Sequence, residues 1–578
     1  GHKVFVDSRV GLYASGANPT IMDQHLLTRE ALRAQRAGFT NSGRPDVWKE
    51  HFDKYQVNHV IPRLYGRNPD YHTYTDLLVS SDWAITQLGA AGAVFYRTDR
   101  TDDERLTQYV NEHRANFVKQ AFRENSEVFY DRTAWARPPS FYERYLTTPN
   151  RQRSNALQVG AHYLENMFSL PDSEVALKVA FGHLAIRSIN QSLAADSQSA
   201  EAYLFLGLGY YRLGDLEMRI MNIEGRLSGF RFLQAVQALR QSLVIEPNNP
   251  AVMTTLYDCY SRMQKLDLAM DVLTDMIRLQ PLNKNLSEEQ IARNKQDQET
   301  RDSMRKAVKS VEDDVRKVLV AQKDLTADRL LELAQSASER GCSGLTLKLL
   351  EEHSVLIEQH PQAQLQMARL MLEAGRSEEA YAVLGKIEPY VEKFSLPDWY
   401  YPAGHAGLSN GDYNRATRVW HDELLALEAE ADPMFRQGFL ATLPFITPSG
   451  SNPVAWPLNQ ILVGTPGLQT WSNQRAEIQF QIAQCHLESG RCDDATAMMK
   501  RLIELNPDSP LRPLIRVYLA LTSDKVIELF PDYQWQDSNA DSLHPNDETL
   551  TEEPQQGGTK PGEQPQTGTV PIPAKNPK

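Results

Sequence analysis

Residues 250–281, PAVMTTLYDCYSRMQKLDLAMDVLTDMIRLQP, decide how this chain folds. Leu256 and Tyr260 stand four apart in the first half, and Ala269 and Leu273 four apart in the second. That interval places each couple on one face of a helix. Pro281 ends the second helix, because it can supply no amide to continue the ladder. Two antiparallel helices need a tight turn between them, met by Gly or a polar residue. Where they cross closely, only Gly or Ala fits. Each such hairpin has one apolar face too thin to be sheltered alone, so neighbours must stack on it.

The unit recurs along the chain. A copy ending at Pro507 has Ile482-Ala483 in its first helix, Gly490 at the turn, and Ala495 and Met499 in its second. Ala495 to Pro507 is 12 residues, as is Ala269 to Pro281. Ala202, Tyr203, Leu206, Gly207 and Tyr210, followed by Gly214-Asp215, make another first helix. Its partner carries Phe232, Ala235, Leu239 and Pro247. Gly207 and Ala235 are 28 residues apart where the unit allows 12, so the 16 residues 216–231 are inserted, either lengthening both helices or forming a loop. Val159, Gly160, Tyr163, Ala185 and Ile189 form an upstream copy, also with an insertion. Further copies carry Leu333-Ala334, Ala337, Gly341 and Leu350; Met367-Ala368, Gly375 and Ala380; and Gly404, Gly411-Asp412, Ala416 and Trp420. About seven units are expected, spread over 153–283 and 326–523.

These positions resemble the 34-residue tetratricopeptide repeat (TPR) family. The resemblance spans most of residues 153–523, with gaps. It implies a mainly α protein, an α-helical TPR solenoid whose first helices line a concave groove for a protein or peptide partner. On that face the resemblance places Tyr211 and Arg212 in one unit and Asp258 and Arg262 in the next. Arg212 and Arg262 hold equivalent places. Two readings stand: a short ladder for a partner's carboxylates, or a solvated polar face.

Residues 287–323 are highly charged and lack Gly and Pro. Met304, Val308, Val311, Val315 and Val318 alternate spacings of four and three, so a long amphipathic helix with a narrow seam is expected within 284–325. It either packs along the solenoid or pairs with a second copy. Residues 445–467, rich in Pro, Gly, Ser and Asn, read as a loop between repeats. The tail, 524–578, is rich in Pro, Gly, Gln, Thr and Glu and is expected to be disordered, because it buries too little apolar surface to offset the entropy of ordering.

Of the 578 residues, 41% are apolar and 23% charged, an ordinary balance for a soluble protein. A net charge of -13 argues against a nucleic-acid partner, which needs a basic face. No apolar run is long enough to span a bilayer. Cys259, Cys342, Cys485 and Cys492 show neither a CxxC pair nor a neighbouring His cluster, so no metal site is expected. Cys485 and Cys492 fall on facing helices of one unit, as two buried thiols or as a disulfide. His421-Asp422-Glu423 cannot gather round one ion, since adjacent helical residues point apart. There is no phosphate-binding, dinucleotide-binding, serine-hydrolase or HExxH motif, so no cofactor and no catalytic residue is expected.

The first hundred residues have a different texture. Residues 4–6 read as a strand, 22–37 as helix, 48–55 as a short amphipathic helix, and 57–61 as a second strand. Residues 71–79 read as helix. Residues 83–88 and 93–97 read as a hairpin turned by Gly89-Ala90-Ala91-Gly92. Together they predict a small α/β domain over 1–100 with about four strands, joined to the repeats by a helical linker over 101–152. Asp7 and Arg9 stand at the carboxyl end of the first strand, where α/β sheets place ligands; an internal ion pair is the other reading.

The runs VFVDSR, WKEHFDKYQVNHVI and DW…AVFYR resemble a second family over about residues 3–98. This is the extracytoplasmic domain that follows the last membrane helix of polytopic bacterial proteins of the GT-C (dolichyl-phosphate-mannose-dependent glycosyltransferase) type. There the first strand commonly reads Asp-Gly-Arg; this chain has Ser8 in place of the Gly. The resemblance implies a multi-span part upstream of Gly1 and a place on the extracytoplasmic face of a bacterial membrane, a cytoplasmic protein being the alternative. It implies no transferase chemistry in this stretch, because that family's acidic catalytic loops lie in the membrane part.

Overall fold

The computed structural model describes residues 52–53, 57–62, 64, 74, 77–78, 82–99, 104–122, 154–170, 174–221, 226–279, 288–321, 325–442, 468–505 and 509–522. The expected strand at 4–6 with Asp7 and Arg9, the helix at 22–37, the loop at 445–467 and the tail at 524–578 lie outside these residues.

Among the described residues seven antiparallel helix pairs follow one another. They are α2 (Asn155–Ser169) with α3 (Val175–Ala195), and α4 (Ala200–Met221) with α5 (Phe230–Ile245). Next come α6 (Pro250–Arg262) with α7 (Leu266–Leu279). After a long single helix, α8 (Glu288–Ala321), come α9 (Ala327–Glu339) with α10 (Ser343–Glu352), and α11 (Pro361–Glu373) with α12 (Ser377–Ile387). The last two pairs are α13 (Tyr400–Ser409) with α14 (Tyr413–Thr442) and α15 (Leu468–Glu488) with α16 (Cys492–Leu505). A single helix, α17 (Arg512–Thr522), completes the array. The helix starts follow from local chemistry. At α6, Asn249 Oδ1 accepts from the amides of Ala251 and Val252 at 3.1 and 3.3 Å, and Pro250 sits where no amide is needed.

Each pair is held at a close crossing. A Cβ on Gly207 of α4 would lie 2.6 Å from Leu239 Cγ and 3.3 Å from Ala235 O. At the equivalent place a Cβ on Gly404 would lie 2.2 Å from Trp420 Nε1. The facing Ala235, Ala269, Ala416 and Ala495 are all fully buried. Of the sixteen inserted residues, 216–221 lengthen α4, and a 3-10 turn, Arg226–Gly229, leads into α5.

The array coils until its ends meet. Arg231 at the start of α5 is 1% exposed, yet it reaches the seventh pair. Its guanidinium donates to Gln484 at 2.5 Å and pairs with Glu488 of α15 and, at 3.3 Å, with Glu217 of α4. Tyr518 of α17 donates to Glu217 at 2.5 Å and lies 3.1 Å from Nε2 of His183 on α3. Burial alone would lower the Arg231 pKa, but Glu217 and Glu488 hold it above its ordinary value. Residues of the first three pairs and of α15 to α17 therefore share one core. Inside the coil, Gln237 of α5 accepts from the Ser377 amide at 3.2 Å, and the Phe230 ring lies 4.8 Å from that of His405.

The charged helix α8 packs along the array. Val311 and Val315 are buried, and Val308 and Val318 pack against the same core as α9 to α13. Met304 packs against the larger core. The seam expected from spacing is thus covered from within the chain. All four cysteines are buried free thiols, so Cys485 and Cys492 form no disulfide.

Ahead of the repeats stands a three-stranded antiparallel sheet among the described residues, ordered β1-β3-β2: β1 (His59–Val60), β2 (Trp83–Leu88) and β3 (Ala93–Arg97). The predicted hairpin forms with Trp83 opposite Arg97 and Leu88 opposite Ala93, and a register shift at Ile85/Gln87. The helix α1 (Glu104–Phe122) covers the sheet and joins it to the repeats, its Phe117 ring 5.1 Å from Phe181 of α3. Tyr74 donates to Asn166 of α2 at 2.5 Å.

Arg231→Ala should cost about 3–5 kcal/mol in urea unfolding, since it strands Glu217 and Glu488 as buried charges. A loss below about 1 kcal/mol would show that the closure adds little. The imidazoles give a second expectation. Burial pushes the His486 ring down to about 4, and burial with the nearby Arg231 and Arg187 holds His183 well below its ordinary value. Both are neutral in the folded chain, while the unfolded chain takes up protons below about 6.5. Their contribution is present above about 6.5 and is lost as pH falls toward 4. The urea midpoint should be lower at pH 5 than at pH 7.5, and the double variant His183→Gln/His486→Gln should flatten that dependence.

Candidate functional site

The first helices of the second to seventh pairs face inward and enclose a groove of about 920 Å³. Met218 comes from α4, Arg262 from α6, Leu331 to Glu339 from α9, Gln362 to Glu373 from α11, Tyr401 and Pro402 from α13, and Gln474 from α15. Leu331, Leu365, Leu372 and Leu396 are buried and form an apolar floor. Above it stand polar side chains, so the groove suits a ligand with both apolar and hydrogen-bonding parts.

The polar wall is rich in amides. Gln264, Gln335, Gln362, Gln366 and Gln474 all line it, and their side chains make no hydrogen bond within the described chain. Its cations are already matched. Lys265 Nζ lies 2.8 Å from Glu373, which also accepts from Ser343 at 2.7 Å. Arg262 pairs with Asp215 at 2.9 Å. Glu339 and Asp398 line the groove, are exposed, and have no ion-pair partner among the described residues.

Backbone geometry singles out two of the lining residues. Four of the turns between paired helices carry glycine at positive φ: Gly341, Gly375, Gly411 and Gly490, at 77–80°. In each, the following amide closes the helix end by donating five residues back, as from Arg376 to Met371 at 2.8 Å. The α6–α7 turn makes the same bond, from Lys265 to Tyr260 at 2.8 Å, but holds Gln264 at φ 58°. The other non-glycine residue at positive φ among those described is Ser395, at 49°. Both line the groove. A left-handed backbone costs a residue with a Cβ about 1–2 kcal/mol, and such strain gathers at functional places.

The structure brings the four expected groove residues into one cluster, of which Arg262 borders the cavity. Tyr211 is buried, its ring 5.8 Å from Phe232. The Arg212 guanidinium lies 4.5 Å from the centre of the Phe168 ring, a cation–π contact. Burial raises the Asp258 carboxyl, while Arg212 and Arg262 draw it back down. Asp215, held by Arg219 at 2.7 Å and by Arg262, completes the cluster. Both arginines thus face carboxylates of their own chain. Sequence reasoning missed the glutamines, Ser395, Glu339 and Asp398. Gln264 alone left a signal, as an amide where four other turns carry glycine.

No family model matches the chain, and neither does any curated protein. Among solved structures it is similar to the P58(IPK) TPR domain, at 12% identity over 66% of this chain and 97% of that one, with a TM-score of 0.16. It is also similar to a chain of the APC/C hetero-tetramer Cut9-Hcn1, at 12% identity over 77% and 90%, TM-score 0.20. A chain of Naa15/Naa10 bound to HypK-THB matches at 14% identity over 73% and 64%, TM-score 0.17. The helix pairs described above carry the fold assignment by themselves.

Gln264→Gly should raise stability by about 0.5–1 kcal/mol, the left-handed penalty less the extra freedom glycine has when unfolded. Urea unfolding measures it, and a destabilised variant would mean that the amide is held for the fold.

Proposed function

We propose that the chain is a protein-interaction scaffold that holds a segment of a protein partner in the groove enclosed by its first helices. The observation that carries this reading is the groove itself. Six helix pairs contribute to it, its floor is apolar, its amides are unspent, and two of its lining residues bear backbone strain. In this reading Arg212 and Arg262, which face Asp258 and Asp215 of the chain itself, shape the rim of the groove and do not serve as a ladder for a partner's carboxylates.

We further propose that the chain is the soluble extracytoplasmic part of a larger membrane protein, the accessory C-terminal region of a GT-C-like membrane glycosyltransferase being the alternative. The sequence resemblance over residues 3–98 supports it. The continuous core from sheet to repeats would then hold the groove at a set place relative to the membrane.

A photo-crosslinking residue placed at Gln366, inside the groove, should capture a discrete partner segment in cells of the source organism, identified by mass spectrometry. The same residue at Lys348, which is 74% exposed on the second helix of its pair, should capture none. Equal capture at both places would remove the groove from the interaction.

A further inference from the structure

Resting on the reading of the groove as a binding site, we propose that its occupant is an extended peptide carrying lysine or arginine side chains. The first argument concerns the backbone. A helical ligand has its amides and carbonyls already paired, so a wall of free primary amides gains little from it. An extended segment brings one unpaired N–H and C=O per residue. Each glutamine offers two donors and an acceptor, the complement of a peptide group. Gln264, Gln335, Gln362, Gln366 and Gln474 are spread over the third, fourth, fifth and seventh pairs, so amides are offered along several elements of the lining.

The second argument is charge. The lining carries three cations, Arg262, Lys265 and Arg369, against four carboxylates, Glu339, Glu373, Asp398 and Glu423; Glu373 serves both Lys265 at 2.8 Å and Arg369 at 3.9 Å, and Asp215 holds Arg262. Among the described residues Glu339 and Asp398 have no ion-pair partner, so the lining keeps a negative balance. A cationic side chain gains from them, and an anionic one is repelled. The third argument is the turn at Gln264. Glycine would close the α6–α7 turn with less strain, as it does at four other turns, yet an amide stands there facing the groove.

The test is panning of a phage-displayed library of random dodecapeptides on the full chain. It is repeated on Gln335→Trp, which fills the groove from an exposed position, and on Glu339→Lys/Asp398→Lys. Selected sequences should be enriched in Lys and Arg and lack apolar residues at three- and four-residue spacing. A synthetic copy should bind Gln335→Trp at least tenfold more weakly, and N-methylation of its backbone should cost a similar factor. The charge-reversed chain should select acidic sequences. Groove-dependent peptides that are acidic or amphipathic-helical would overturn the assignment while leaving the scaffold reading intact. If no selected peptide depends on the groove, both fall. Dimers in sedimentation that vanish in Gln335→Trp would put a second copy there and likewise overturn it.

Discussion

The close crossing of the two helices within each pair is the contact on which the rest of this structure depends. At Gly207 and Gly404 the first helix comes so near its partner that a methyl group would strike Leu239 or Trp420. Alanine meets the same need on the second helix, at Ala235, Ala269, Ala416 and Ala495. Because the pairs are thin and similarly crossed, each buries its remaining apolar surface on the next. A bulky residue at one crossing would splay one pair and also misplace every pair beyond it.

Repeated crossing makes a coil, and buried charge closes it. Arg231, Glu217, Glu488, Gln484 and Tyr518 come from four helices and meet in the interior. A buried ion network of this kind contributes modest net stability, because desolvation opposes the Coulomb attraction. Its effect is geometric: donors and acceptors must meet at fixed angles, which sets how far the array turns before its ends join. That in turn sets the width of the groove, whose walls come from pairs on opposite sides of the coil.

The groove spends its polar groups unevenly. Its cations are tied to carboxylates of the chain, whereas its amides and two of its carboxylates are left for a visitor. The strain at Gln264 and Ser395 falls on this same lining. Stability conceded at a surface that contacts a ligand is a common exchange in proteins, and here it sits on the turns that join neighbouring elements. The cluster of Tyr211, Arg212, Asp258 and Arg262 borders the groove at one residue and otherwise stabilises the junction of the second and third pairs.

How much of this was legible follows from how local each cause is. Hairpin units, their turn glycines, their crossing residues and the seam of α8 were readable, because each depends on residues within about thirty positions of one another. The β2–β3 hairpin was readable for the same reason. The insertion at 216–231 left helix and loop undecided; burial of Leu216, Ile220 and Met221 on the lengthened α4, and of Phe230 at the start of α5, settled its described part. Ring closure through Arg231 was not readable, since its partners lie 253 and 257 residues away in sequence. The groove was half legible: repeat position implied that first helices face inward, but not which side chains would be left unpaired. The sequence by itself determined the repeating helix pair, because periodicity and small residues act locally. Only the tertiary structure decided the closure and the unspent amides of the groove, because both depend on which distant side chains the coil brings face to face.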